Sequence, residues 1–433
     1  MQEYLEANSW IGEVLLNQGK PDETLPVWRE SQRLTTAQLR LHPESRDWQH
    51  QVAVADHNVG TGLEALGDLG GALQAYRDSV VLERKMAAAD PGNLLLQSEI
   101  AGTLAFVSNC LERQGDLAGA LAERRSYLEI VERVAEREPG SPEGRFEVAV
   151  ARGFVANLLV TQGTRDGARA LYGKGLETLE ALAAQDSENT SWQRWLAAFH
   201  SALGALAVAD GNRAQALEPL GKARRILEGL VAKDSTNSDW RLMLGVCRNR
   251  TAEALERLDP RRARTEALAA SEILAPLLQG KPDEPTRGSI AEAEVTRGRI
   301  AAALGARDEA RAARERALAI LAPCARPLTH WKVRAPWTEA LLGLDRTGEA
   351  RPGVDQLSRM GYRNGDLAKL CQEKGLATSF EEGGLFFPSS PSFERNRAFS
   401  FQVLRALKDL FPSLPSFERI KGISSQALEG AAL

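Results

Sequence analysis

The sequence predicts an all-α superhelical solenoid of antiparallel helix pairs, followed by a mostly irregular C-terminal tail. Three observations carry this reading. Several residue columns share one period: Gly19, Gly67, Gly115, Gly163 and Gly211 stand 48 residues apart, Asp259 falls on the next beat and Gly305 arrives two residues early. Turn and cap residues alternate where a helix-turn-helix array needs them. No segment alternates apolar and polar residues with the period of two that a half-buried strand requires, so essentially no sheet is expected.

Taken in chain order, each repeat divides into two helices. Small residues recur in the first at Gly12, Gly60, Ser108, Ala156, Gly204 and Ala252, and in the second at Thr24, Ala72, Ala120, Ala168 and Ala216. These columns mark close helix crossings, with Trp28, Tyr76 and Tyr172 as the packing knobs. The glycine column closes the first helix, because a left-handed residue satisfies its last carbonyls. The next residue, Asp68, Asp116, Thr164 or Asn212, is placed to cap the second helix. In the second unit Leu69, Leu73, Tyr76, Val80 and Met86 form that helix's apolar stripe. It stops near Asp90-Pro91-Gly92, and the next first helix begins at the cap column Ser45, Asn93, Ser141, Asn189 and Asn237. A tryptophan column, Trp48, Trp192 and Trp240, packs near the start of that helix.

Val59-Gly60-x-x-Leu63, Gly67-Asp68 and Ala72-x-x-x-Tyr76 together resemble the tetratricopeptide repeat pattern. So do Ile11-Gly12-x-x-Leu15 with Gly19 and Trp28, and Val155-Ala156-x-x-Leu159 with Ala168 and Tyr172. The family period is about 34 residues, so each repeat here carries about two extra heptads. The turn within each pair keeps the family spacing, which places the extra residues at the far ends of both helices. Helices of about 20 residues, about 30 Å long, follow. The resemblance covers residues 1–322 as about seven helix pairs and fades after Asp259.

The sixth unit reads Leu258-Asp259-Pro260-Arg261-Arg262, with Pro260 in place of the usual Asp or Asn cap. The seventh spans about 286–322. Pro323, Pro327 and Pro336 mark a break, after which 337–345 and 349–360 read as a last helix pair turning around Thr347-Gly348. Residues 323–378 are therefore a separate C-terminal helical capping module. Within it Met360-Gly361-Tyr362-Arg363, Leu370-Cys371 and Gly375-Leu376 resemble the segment that closes repeat regions attached to bacterial serine/threonine kinases. Residues 379–433 hold eight of the twelve Phe and a duplicated segment, Phe387–Arg395 and Phe411–Arg419. That shift in composition, off the repeat period, reads as a low-order tail or a duplicated docking peptide. Met1 falls just after the tryptophan beat, so the first helix lacks its cap residue. Either the first repeat is irregular or the chain is the C-terminal part of something longer.

Function classes narrow by exclusion. A net charge of −4, from 54 Lys and Arg against 58 Asp and Glu, argues against nucleic acid or an anionic membrane as the partner. No run of apolar residues is long enough to span a bilayer. Cys110, Cys247, Cys324 and Cys371 are scattered without metal spacing, which suits a reducing, cytoplasmic compartment. No phosphate-binding glycine loop, kinase signature, GxSxG or HExxH motif is present. His50 and His57 could share a helix face, but no third metal ligand is placed by the sequence. The Arg261, Arg262 and Arg264 cluster is interleaved with Glu256, Asp259 and Glu266, as on a solvated face. We therefore expect no enzyme activity, catalytic residue, cofactor or metal.

Binding remains. The tetratricopeptide resemblance implies that first helices line a concave surface recognising peptide segments. On that geometry His57, Thr61, Asn109, Arg113, Asn157, Ser201, Asn249 and Glu253 are the groove residues. Asn109 and Asn157 fit a column of the family's clamp for C-terminal carboxylates, but its Lys partners are missing, so no such clamp is expected. The expected function is a non-enzymatic scaffold for protein or peptide partners. The alternative is the regulatory portion of a bacterial signalling protein, a kinase or NTPase, whose catalytic domain lies upstream of Met1. Oligomeric state is open.

Overall fold

A computed structural model describes residues 1–280, 282–324 and 330–376. The duplicated Phe-Pro-Ser segment and the rest of the tail lie outside the described residues. The described chain is helical throughout, with no strand among its residues, and belongs to one compact unit.

Consecutive helices pair and then stack. The order is α1 (Gln2–Asn17), α2 (Pro21–Leu41), α3 (Arg46–Ala65), α4 (Leu69–Ala89), α5 (Leu94–Gln114), α6 (Leu117–Arg137), α7 (Pro142–Thr161) and α8 (Arg165–Gln185). It continues with α9 (Thr190–Ala209), α10 (Arg213–Lys233), α11 (Ser238–Leu255), α12 (Pro260–Leu274), α13 (Glu284–Ala303) and α14 (Arg307–Leu321). A 3-10 turn, Ala275–Gly280, follows α12, and α15 (Trp331–Gly343), α16 (Thr347–Arg359) and α17 (Gly365–Glu373) close the array. Helices α2 to α10 are 20 or 21 residues long, as two added heptads per repeat require.

The punctuation has local causes. Gly19, Gly67, Gly115, Gly163 and Gly211 all adopt φ between +74° and +87°, the left-handed region that ends a helix and that a Cβ disfavours. Ser45, Asn93, Ser141, Asn189 and Asn237 each accept a backbone N–H from the first turn of the helix they open. Trp48, Trp192 and Trp240 supply three of those N–H groups. The small column of the second helices, Thr24 through Ala216, is wholly buried.

Four expectations are corrected. Thr164 and Asn212 stand at the cap positions of α8 and α10, yet their side chains accept no capping bond. In the sixth unit Asp259, not Pro260, is the cap: it accepts from the Arg262 N–H, and Pro260 takes the first helical position, where a missing N–H costs nothing. The last pair turns at Leu344-Asp345-Arg346, with Asp345 at φ +61°, so Thr347 and Gly348 open α16 instead of forming the turn. Finally, α15 starts at Trp331 and runs through Pro336. A proline six residues into a helix already has a helical φ and leaves only the Lys332 carbonyl without its donor. Gly288 of α13 faces that carbonyl and has no Cβ to obstruct it.

One hydrophobic cluster fills the stack from Leu25 to Leu206 and continues into Trp331, Leu341, Leu357, Tyr362 and Leu376 of the last helices. Direct contacts explain the continuity. The Trp331 indole donates to Glu112 at 3.1 Å, the Arg363 N–H donates to the Thr161 carbonyl at 3.0 Å, and a Cβ on Gly115 would lie 2.6 Å from Met360. Lys332, only 2 % exposed, pairs with Glu112 at 3.4 Å. Thus the start of α15 and the Met360–Arg363 segment after α16 rest on the C-terminal ends of α5 and α7. By length and composition α5 could cross a membrane, but it is stacked between α4 and α6 with Cys110 fully buried.

Candidate functional site

All eight groove residues stand on first helices. His57 and Thr61 lie on α3, Asn109 and Arg113 on α5, Asn157 on α7, Ser201 on α9, and Asn249 and Glu253 on α11. First helices also touch one another along part of the array, α7 meeting α9, α9 meeting α11 and α11 meeting α13. Bonds 49 residues apart tie them together: Glu64 with Arg113 at 2.8 Å, His50 with Glu99 at 3.1 Å, and Ser201 with Arg250 at 2.8 Å. The eight form a strip running along the array. They do not converge on one point.

Most of their polar atoms already serve the fold. Burial pushes the His57 imidazole down to about 4, so it is neutral, and its ring sits against Tyr76 and Phe106 at centroid distances of 5.2 and 4.8 Å. The Thr61 hydroxyl lies 3.2 Å from that of Tyr76. Asn109 accepts from Arg124 at 2.6 Å, and Asn157 accepts from the Tyr172 hydroxyl at 2.5 Å. Asn249 donates to Glu253 at 3.4 Å, and Glu253 also accepts from Thr296 at 3.2 Å.

Two charged centres lie where the last helices meet this strip. Arg299 is surrounded by Glu256 at 3.1 Å, Glu339 at 3.4 Å, Glu253 at 3.9 Å and Asp366 at 4.0 Å. Burial raises the Glu339 carboxyl to about 7 against the pull of Arg299. Burial also works to raise Glu112, but Lys332, His330 and Arg124 hold it below its ordinary value.

Toward the N-terminal halves of the first helices the inner face is less filled. Val54 shares the face of His50, His57 and Thr61 and is 38 % exposed. Its counterpart one repeat on is Gly102, where a Cβ would meet nothing within 4 Å. Phe106, one turn further along α5, and Phe146 on α7 are half-buried. Glu147 is also half-buried, forms no hydrogen bond or ion pair among the described residues, and is pushed up to about 7 by burial. Sequence reasoning missed this stretch, although one turn back from His57 leads to Val54 and the repeat period then leads to Gly102.

Nothing here assembles a nucleophile. The thiols of Cys247 and Cys371 are raised by burial to about 12 and about 11, away from thiolate chemistry near neutral pH. Among the described residues no group of three or more His, Cys, Asp or Glu side chains could hold a metal ion.

No family model matches the sequence, and no curated protein matches it. Solved structures do match in shape. The apo quorum sensor NprR from B. thuringiensis superposes with a TM-score of 0.52 at 12 % identity, covering 82 % of this chain and 87 % of that one. Apo RapI gives 0.46 at 11 % identity over 86 % and 92 %. A tetratricopeptide repeat protein from Parabacteroides merdae gives 0.39 at 12 % identity over 77 % and 99 %.

Proposed function

From a chain folded as a tetratricopeptide-like helical-repeat solenoid, we propose a non-enzymatic interaction scaffold that takes a peptide or protein segment along the inner face of its first helices. The observation that carries this reading is the open space over Gly102, together with incompletely buried apolar side chains on the same three first helices, Val54 on α3, Phe106 on α5 and Phe146 on α7. Specific sites combine apolar lining with a few placed polar groups, and Glu147 and the His50–Glu99 pair supply those here. The ligand therefore engages the N-terminal halves of α3, α5 and α7, while Trp331, Lys332 and the Met360–Arg363 segment occupy the C-terminal ends of α5 and α7. His57 and Thr61 on α3 and Asn109 and Arg113 on α5 adjoin that stretch from the C-terminal halves of their helices, and Asn157, Ser201, Asn249 and Glu253 extend the strip. The cytoplasm suits the four cysteines, which are buried and scattered along the chain.

Alanine substitutions at Asn109 or Asn157 would test this poorly, because each asparagine holds a buried partner. Gly102→Trp fills the open space from a position where nothing is displaced. A displayed random-peptide library panned on the full chain should yield binders that lose affinity for Gly102→Trp, with an unchanged helical spectrum. Binders that hold both proteins equally would place the site elsewhere.

A further inference from the structure

The charged centre at Arg299 joins four helices. Its guanidinium, on α13, lies 3.9 Å from Glu253 and 3.1 Å from Glu256 on α11, 3.4 Å from Glu339 on α15 and 4.0 Å from Asp366 in the first turn of α17. Glu292, two turns before Arg299 on α13, faces the same centre, where burial and Glu253 raise its carboxyl against the pull of Arg250. Five carboxyls therefore meet around one central guanidinium. The other cations that face them are held at the edges: Arg250 of α11 donates to Ser201 at 2.8 Å, and Arg314 of α14 donates to the Gly343 carbonyl at 2.7 Å. Tyr362 and Cys371 also face Glu339, but burial raises the thiol to about 11 and the phenol further, so both stay neutral. Between α3 and α5, by contrast, Glu64 and Arg113 pair one to one. Carboxyls that share one site resist ionising together, because each new negative charge raises the cost of the next.

We propose that this seam is a proton-linked latch, which holds α15 and α17 against α11 and α13 while one carboxyl stays protonated and loosens when all five are ionised. Glu339 sets the direction. Burial raises its carboxyl from the ordinary 4.5 to about 7, although Arg299 pulls the other way. The seated state therefore holds the proton more tightly than a lifted one, in which Glu339 meets water. The latch is fully set near pH 4.5, weakens as pH rises to about 7 and is flat above it. The other contact of the last helices does not titrate in this window, because burial pushes His330 down to about 3 and Glu112 stays below its ordinary value. α17 packs on α15, and Asp366 links it to Arg299. The Met360–Arg363 segment leads directly into α17, so loosening the latch also frees its hold on the ends of α5 and α7.

Hydrogen–deuterium exchange of the full chain, followed by mass spectrometry at pH 5.5 and 7.5 with times scaled for the intrinsic rate, reads the latch. The readout must be local, because Asp56, Glu83 and Glu147 on α3, α4 and α7 also have raised carboxyls. α17 should exchange ahead of α9 at both values, and its opening constant should rise about tenfold from the lower to the higher. Glu339→Gln should cut that rise to less than about threefold, since glutamine stays neutral throughout. Asp366→Asn, at a position 49 % exposed, removes one of the crowded charges and should also shrink the rise. It carries the test if the more buried variant does not fold. The proposal is overturned if α17 exchanges only together with α9, if its opening is the same at both pH values, or if the rise persists undiminished in the folded variants.

Discussion

Two glycines in helix interiors make opposite predictions from one substitution. At Gly60 on α3 a new Cβ would lie 2.7 and 2.8 Å from Cε1 and Cδ1 of Tyr76. That ring cannot retreat, because Tyr76 is 0 % exposed and its hydroxyl is bound to Glu64 at 3.0 Å and lies against Thr61 at 3.2 Å. Alanine gains ~1 kcal/mol over glycine in a helix, whereas overpacking a tight contact costs about 1–3 kcal/mol. Gly60→Ala should therefore lose about 1 kcal/mol net, and Gly60→Leu several, since leucine adds three more carbons to the same clash. At Gly102 on α5 the Cβ meets open space, and only the gain of about 0.5–1 kcal/mol remains. Urea unfolding followed by helical circular dichroism, with m-values compared for constancy, should place the two alanine variants on opposite sides of the wild type. A Gly60→Ala protein as stable as Gly102→Ala would refute the idea that the small column exists to admit Tyr76.

Three further outcomes are expected. Glu112→Ala should cost about 3–5 kcal/mol by leaving the Lys332 ammonium buried without its carboxylate, and adding Lys332→Met should restore most of it in a thermal melt. Glu147→Gln should stabilise by about 1–3 kcal/mol at pH 8 and very little below pH 4.5. The sign follows from the raised pKa: the fold prefers the neutral carboxyl, so the wild type loses stability as pH rises from the ordinary glutamate value through about 7, and glutamine removes that loss. Asn189→Ala should cost ~1 kcal/mol by removing the acceptor for the Trp192 N–H, and Asn189→Gly only a few tenths. Urea midpoints of the two variants give the comparison directly.

What the sequence made legible was local. The left-handed glycines and the Ser/Asn caps act within one turn of themselves, so spacing alone located them. The departures came where a distant group changed the local balance. Pro336 looked like a break because the room for the Lys332 carbonyl comes from Gly288, in another helix pair. Spacing alone puts Pro260 at the cap position, and the role of Asp259 as the cap appears only once Pro260 is seen in the first turn. The inner face was partly legible. The geometry implied by the tetratricopeptide resemblance picked out the strip from His57 to Glu253, but not that Asn109 and Asn157 are bonded to Arg124 and Tyr172. The Glu112 contact with Trp331 joins residues 219 positions apart, beyond the reach of any periodicity.

That long contact alters how such a molecule should come apart. A stack of repeats behaves as a one-dimensional chain, in which each unit feels only its neighbours and the ends can fray independently. Here the start of α15 and the Met360–Arg363 segment are seated on the ends of α5 and α7, so the chain of contacts closes on itself. Loosening of the irregular sixth unit cannot run outward freely, because both sides of it are held by the same core. The cost is paid in order of synthesis: units three and four lack these contacts until the last helices arrive, and a truncation before Trp331 would weaken the middle of the array as well as its end.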